Sequence, residues 1–118
     1  MSLEIQQRDR EGVLILDLNG RLTVGPEVSI FRDRMQKLID TGSRQIVLNL
    51  QQVDYIDSTG LGVLMNCYCH AIKNSGALKL LNPDAPVKQV LSVTKVDRIL
   101  QSFDDEAAAL ASFQAPTA

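Results

Sequence analysis

The residue types with the clearest chemical potential lie together near the middle of the chain. Asp57, Ser58 and Thr59 follow an apolar, β-rich segment, and apolar residues at helical spacing begin just after them. Side chains of these three types cap helices well, because their oxygens accept the unpaired N–H groups of the first turn. Gly60 and Gly62 come next, although each glycine costs a helix ~1 kcal/mol relative to alanine. The stretch predicts a strand-to-helix junction with bare backbone, which another molecule could approach closely.

A helix that begins in this way also suits phosphate chemistry at Ser58. The first-turn amides and the helix dipole favour negative charge at a helix N-terminus. A phosphoryl group on the Ser58 hydroxyl is therefore compatible with the predicted helix. A simpler interpretation is that Asp57 or Ser58 only caps the helix, and capping chemistry alone does not decide between the two.

The remaining reactive side chains do not assemble a catalytic or metal site. A serine hydrolase needs a histidine within reach of its nucleophile, but His70, the single histidine, lies twelve positions after Ser58. Along one helix that separation is roughly 18 Å. Cys67 and His70 would share a helix face while Cys69 points elsewhere, and no second Cys/His cluster completes a zinc site. The sequence thus predicts no enzyme, no bound metal and no cofactor.

Length, composition and charge exclude several broad classes of protein. With 118 residues the chain is long enough for one domain with a real core. A net charge of −2 and only 4% aromatic residues argue against a nucleic-acid-binding protein. No signal peptide is recognisable, no apolar run approaches the ~20 residues that span a membrane, and two cysteines suit a reducing compartment. We expect a single cytoplasmic domain over residues 1–113 and a flexible tail over 114–118.

Hydrophobic periodicity and turn residues predict a mixed α/β fold. A half-buried strand over 3–5 and an apolar strand over 13–18, ended by Asn19-Gly20, should pair as an antiparallel hairpin. Helices and strands alternate beyond them, which favours right-handed parallel crossovers. Further strands are predicted over 46–50, 77–81 and 98–100. Helices are predicted between Gly25-Pro26 and Gly42, between Asp57-Ser58 and Asn74, and over about 84–93 and 104–113.

The first two helices each carry an apolar stripe that we expect to face the sheet. In the first helix the stripe is Val28, Phe31, Met35, Leu38 and Ile39. In the second helix it is Leu61, Leu64, Met65, Tyr68 and Ile72.

The stretch from Asp57 to Gly62 resembles the phosphoacceptor motif of the STAS domain family, the anti-sigma factor antagonists. That motif reads Asp-Ser-Ser/Thr-Gly-Leu-Gly and follows a Val-Leu-Asn/Asp-Leu strand, here residues 47–50. The segments 13–22 and 78–82 are also similar to the family, so the resemblance covers nearly the whole chain. It implies a mixed sheet of four or five strands, with about four helices packed on one side of it.

The resemblance also implies a mechanism of partner switching. The unphosphorylated protein would bind an anti-sigma factor that is also a serine kinase, and a sigma factor would be freed. The kinase would phosphorylate Ser58 with its own ATP and magnesium, the complex would separate, and a serine phosphatase would reverse the modification. Charge introduced into a close contact weakens it by desolvation and repulsion. The residues implied in partner contact are Asp57, Thr59, Gly60, Leu61 and Gly62, with Thr23 from the loop after the second strand.

Thr23 is the position that departs from the family pattern, which often has an aspartate there. The substitution removes a carboxylate that could contact a partner or orient the acceptor serine. Two alternatives use the same fold: an accessory subunit of a membrane transporter bound to a transport ATPase, and a small-molecule-binding STAS domain. The transporter alternative gains some weight from Thr23, and the sequence leaves the oligomeric state open.

Overall fold

A computed structural model describes residues 3–113 and shows a five-stranded sheet with four helices. The predicted tail, 114–118, lies outside the described residues. The sheet order is β1-β2-β3-β4-β5, in which β1 and β2 pair antiparallel and the other neighbours pair parallel. The predicted mixed α/β fold is therefore confirmed. The strands are β1 (Glu4–Arg10), β2 (Val13–Leu22), β3 (Gln45–Ile56), β4 (Ala77–Leu81) and β5 (Ser102–Phe103), and the helices are α1 (Pro26–Asp40), α2 (Ser58–Lys73), α3 (Ala85–Val93) and α4 (Glu106–Phe113).

The helices cover both faces of the sheet, so the expectation of helices on one side is wrong. Helices α1, α2 and α3 bury their apolar residues in the main core, against inward-facing side chains such as Leu16 and Leu48. Helix α4 packs on the opposite face, where Ala109 and Leu110 form a separate cluster with side chains of β2, β3 and β4. The central strands are apolar on both faces for this reason, as buried strands of parallel sheets commonly are.

The two predicted apolar stripes agree with the buried faces of their helices to different degrees. In α1 the stripe is confirmed, since four of its five residues are buried and Leu38 is half-buried. In α2 the stripe is confirmed in part, since Leu64 is buried and Leu61, Met65 and Tyr68 are half-buried against the main core. Ile72 from the predicted stripe is 49% exposed. The other buried residues of this helix are Gly60, Val63, Cys67 and Ala71, and a search for large apolar side chains passes over the small ones.

Strands β2 and β3 run farther than the sequence predicts. Strand β2 continues through Asn19-Gly20 to Leu22, and β3 continues beyond residue 50 to Ile56. Their pairing slips twice, between Asp17 and Asn19 and again between Gly20 and Arg21 on β2. Such irregularities let a strand keep its apolar side chains on one face while the pairing partner changes. Both strands consequently end side by side.

The prediction of a strand over 98–100 is also wrong. A short 3₁₀ turn covers Val96–Arg98, and the edge strand β5 begins only at Ser102. Lys95 enters the turn with a left-handed backbone, φ 66°. Leu100 is buried although it lies in no strand, so its apolar character reflects packing of an irregular segment. The last two predicted helices are confirmed, with the start of α4 at Glu106.

An ion-pair network ties α4 to the first strands. The Arg8 guanidinium donates to both carboxylate oxygens of Asp17, at 2.6 and 3.0 Å, and to Glu106 at 2.8 Å. Hydrogen bonds from Arg8 hold the pKa of Glu106 below its usual value. Burial alone would raise the pKa of Asp17, but hydrogen bonds from Arg8 and Asn49 outweigh it and keep that pKa low. These charges lie on the α4 face, away from the second-helix junction.

Candidate phosphoacceptor site

The parallel pairing of β2 and β3 brings their two exit loops together. The last paired residues are Leu22 and Ile56. Beyond them the chain leaves β2 through loop 23–25 and leaves β3 through Asp57 into α2. The Asp57 N–H donates to the carbonyl of Leu22 at 3.2 Å, so the start of α2 is joined directly to the end of β2.

Asp57 caps α2 and also holds the neighbouring loop. Its Oδ1 accepts from the Gly60 N–H at 2.9 Å, and its Oδ2 accepts from the Val24 N–H at 2.9 Å. The bond from Gly60 is the main reason that the pKa of Asp57 is lowered, and the bond from Val24 adds to it. Of the two capping residues considered from the sequence, the structure selects Asp57. Its side chain bonds to the first turn of its own helix and to Val24, which lies 33 residues before Asp57.

Gly60 is required for internal packing. It is buried, and a Cβ at this position would lie 1.9 Å from the carbonyl oxygen of Leu22. The close approach that this glycine allows is therefore made by the chain's own backbone, and a contact of Gly60 with a partner stays a prediction. Gly62 differs, because it is exposed and a Cβ there would meet no atom within 4 Å. Only the second glycine leaves open surface.

Ser58 and Thr59 are exposed at the first two positions of α2. The helix has 16 residues, and its first turn contains no acidic side chain. The unpaired amides and the dipole at this end favour added negative charge. Leu61 is half-buried and packs against the main core. Of the predicted site residues on α2, Ser58, Thr59 and Gly62 are the ones that reach the surface.

The loop after β2 forms a rim beside this helix start. Thr23 is half-buried, and Val24 is 74% exposed. Sequence reasoning placed the loop correctly at this end of the sheet.

Other reactive side chains are engaged elsewhere or buried. His70 Nε2 lies 2.8 Å from Asp40 Oδ1, near the far end of α2 from Ser58. Burial raises the pKa of the Cys67 thiol to about 12, whereas Cys69 is exposed. Within residues 3–113 no three His, Cys, Asp or Glu side chains group as metal ligands would. In the same range no helix has the length and apolar character needed to cross a membrane.

A large surface groove lies at the other end of the sheet, near Gly42, Gly76 and Lys79. Its two cations are both used within the protein. Arg44 donates to the carbonyl of Ile39 at 3.0 Å, at the end of α1. Lys79 donates to the hydroxyl of Ser112 at 2.8 Å, at the end of α4. These bonds hold both side chains in place, and the groove is remote from Ser58.

Comparison with known proteins gives consistent results for sequence and fold. The family model described as the STAS domain matches residues 4–109. An anti-sigma F factor antagonist from Paenibacillus polymyxa is 29% identical over 97% of this chain and 97% of its own. The crystal structure of a candidate anti-sigma factor antagonist from Thermotoga maritima is 28% identical over 92% of each chain, with a TM-score of 0.86.

The anti-sigma factor antagonist SpoIIAA shares the fold in two chemical states. Its unphosphorylated form is 19% identical over 98% of this chain and all of that one, with a TM-score of 0.80. Its phosphorylated form, from Bacillus, is 20% identical over 89% of this chain and 96% of that one, with a TM-score of 0.70.

Proposed function

Because the chain belongs to the STAS domain family and has relatives named anti-sigma factor antagonists, we propose that it is an anti-sigma factor antagonist controlled at Ser58. The unphosphorylated protein binds an anti-sigma factor that is also a serine kinase, and a sigma factor is freed. Phosphorylation of Ser58 ends this complex, and a serine phosphatase restores the unmodified form. The protein acts in the cytoplasm and has no catalytic activity of its own.

The observation that carries the proposal is the exposure of Ser58 at the start of α2. A kinase can reach this hydroxyl without unfolding the domain. In the transfer, a bond forms between Ser58 Oγ and the γ-phosphorus of ATP, and the bond to the β-phosphate oxygen breaks. ADP leaves, and the hydroxyl proton passes to a base of the kinase. The helix N-terminus then stabilises the new charge, so the modified domain stays folded.

The surroundings of Ser58 explain why phosphate would end the complex. Val24, which is 74% exposed, gives the rim an apolar surface. A partner that covers such a surface excludes water from it. A phosphoryl group brings a charge of about −1.5 to −2 that would have to be desolvated inside the contact. Binding and phosphorylation at one place are thus mutually exclusive states.

Four versions of the protein test the proposal: wild type, Ser58→Ala, Ser58→Asp and Ser102→Asp. Ser102 is an exposed serine on edge strand β5, so its substitution adds the same charge elsewhere. Each version is used to recover partners from a lysate of the source organism, with identification by mass spectrometry. The recovered partner is then purified and titrated against each version by calorimetry, and Ser58 phosphorylation is mapped after incubation with ATP and magnesium.

We expect a small ATP-binding serine kinase to bind all versions except Ser58→Asp, and to phosphorylate wild type at Ser58. Ser58→Ala should remain bound in the presence of ATP. Equal binding of Ser58→Asp and wild type would contradict the proposal. If a transport ATPase were recovered with both wild type and Ser58→Asp, the transporter-subunit alternative would replace the proposed function.

A further inference from the structure

We propose that Asp57 is a positioning residue, which holds loop 23–25 against the start of α2 and releases it when Ser58 carries a phosphate. The effect of this release on partner binding rests on the function proposed above. The hydrogen-bonded bridge itself does not, and it can be tested without any partner.

The bridge needs both oxygens of one ionised carboxylate. Oδ1 accepts from Gly60 on α2, and Oδ2 accepts from Val24 in the loop, each at 2.9 Å. Each N–H therefore has its own oxygen, and a side chain with a single acceptor oxygen in this place could keep one of the two bonds but not both. The lowered pKa of Asp57 agrees with a carboxylate that stays ionised to accept both.

The loop has few other attachments at its far end. Gly25 precedes α1 with φ 146°, and α1 has no side-chain hydrogen bond at its N-cap. The bond from Val24 to Asp57 thus fixes a segment whose next residue has the conformational freedom of glycine. It also fixes the exposed Val24 side chain at the rim.

A phosphate on Ser58 acts on this bridge in two ways. Its charge lies one residue from the Asp57 carboxylate, and like charges at that range repel. Its oxygens also compete for the first-turn amides that Asp57 now caps. Both effects displace the Asp57 carboxylate from its present position. The bond to Val24 is the one that opens, because it crosses to another segment. The charge at Ser58 thereby changes the shape of the rim.

Hydrogen exchange of individual amides, followed by NMR, tests the bridge directly. Asparagine is a good N-cap but offers only one acceptor oxygen. In Asp57→Asn we expect the Gly60 amide to keep its protection, while the Val24 amide exchanges ~10-fold faster, as expected for loss of a bond to a charged group. Asp57→Ala should expose both amides. Asp54→Asn, at an exposed acid of β3, removes the same charge and should alter neither.

The second arm places phosphoserine at position 58 by genetic encoding, so that no kinase is needed. The Val24 amide should then exchange about as fast as in Asp57→Asn, with little change in the midpoint of thermal unfolding. A Val24 amide that is unprotected in the wild type, or unaffected by phosphoserine, would overturn the inference.

If the proposed kinase is available, Asp57→Asn should bind it less tightly even with Ser58 unmodified. Unchanged affinity would refute the role of the bridge in binding. Failure to find a kinase would count against the proposed function alone.

Discussion

Replacing Gly60 by alanine is the most direct test of the packing at the start of α2. The new Cβ would lie 1.9 Å from the Leu22 carbonyl oxygen and 2.7 Å from its carbon. The first contact is about 1.5 Å shorter than ordinary van der Waals contact. Backbone atoms cannot rotate away as a side chain can, so α2 and the end of β2 must separate.

The magnitude follows from three contributions. Overpacking of this kind costs ~1–3 kcal/mol. Separation also stretches the two hydrogen bonds that join Asp57 to Leu22 and Val24, at ~1 kcal/mol each. Alanine has a higher helix propensity than glycine, and this difference stabilises the folded state by ~1 kcal/mol. We therefore expect Gly60→Ala to lower the free energy of unfolding by ~2–4 kcal/mol, which corresponds to ~10 °C or more in a domain of this size.

Gly62→Ala is the matched control, since it makes the same chemical change in the same helix. A Cβ at Gly62 meets no atom within 4 Å, so only the gain in helix propensity remains. Urea unfolding followed by circular dichroism should show Gly62→Ala as stable as wild type, or more stable by up to ~1 kcal/mol. If Gly60→Ala were also as stable as wild type, the close contact with Leu22 would not exist in solution.

Two further predictions concern the titrating and reactive groups. Asp17 and Glu106 have lowered pKa values in the folded protein, so their contribution to stability is complete above the unfolded values of ~4 and is lost as the pH falls through the folded values. Wild type should therefore lose more of its urea resistance between about pH 6 and pH 3 than Arg8→Gln does; an equal loss would show that the network does not act in this way. Cys69 is exposed and Cys67 is buried with a raised pKa, so one thiol should react with an aromatic disulfide reagent in the native protein and the second only in urea. Simultaneous reaction of both thiols would contradict the buried position of Cys67.

Local patterns in the sequence were sufficient for much of the fold. The stripe on α1 consists of large apolar residues at regular spacing, and it predicted the buried face well. The stripe on α2 predicted only part of the buried face, because the small residues Gly60, Cys67 and Ala71 also face inward. Strand ends failed for a related reason. Polar residues such as Gln51 and Gln52 end an apolar run, although the strand continues past them with its pairing shifted.

The candidate site was predictable in position but not in its internal contacts. The spacing of Asp57, Ser58 and the glycines indicated a helix start, and the parallel crossover placed the loop near Thr23 at the same end. Nothing local indicates that Asp57 bonds to Val24, because that bond depends on how two distant segments meet. For the same reason the glycine that faces Leu22 could not be distinguished from the glycine that faces open space.

Asp57 bonds both to α2 and to the loop after β2. The surface around Ser58 is therefore a conformational epitope, formed by segments that meet only in the folded domain. A short synthetic peptide that spans the motif would contain the serine and both glycines but would lack Val24, which lies 33 residues earlier. It would also lack β2 and most of β3, the strands that position this junction. Their first halves are largely buried, and such core strands belong to the parts of a fold that open least often. An enzyme or antibody that recognises this surface therefore reads a shape held by the whole domain, and the excised peptide would be a poor substitute for it.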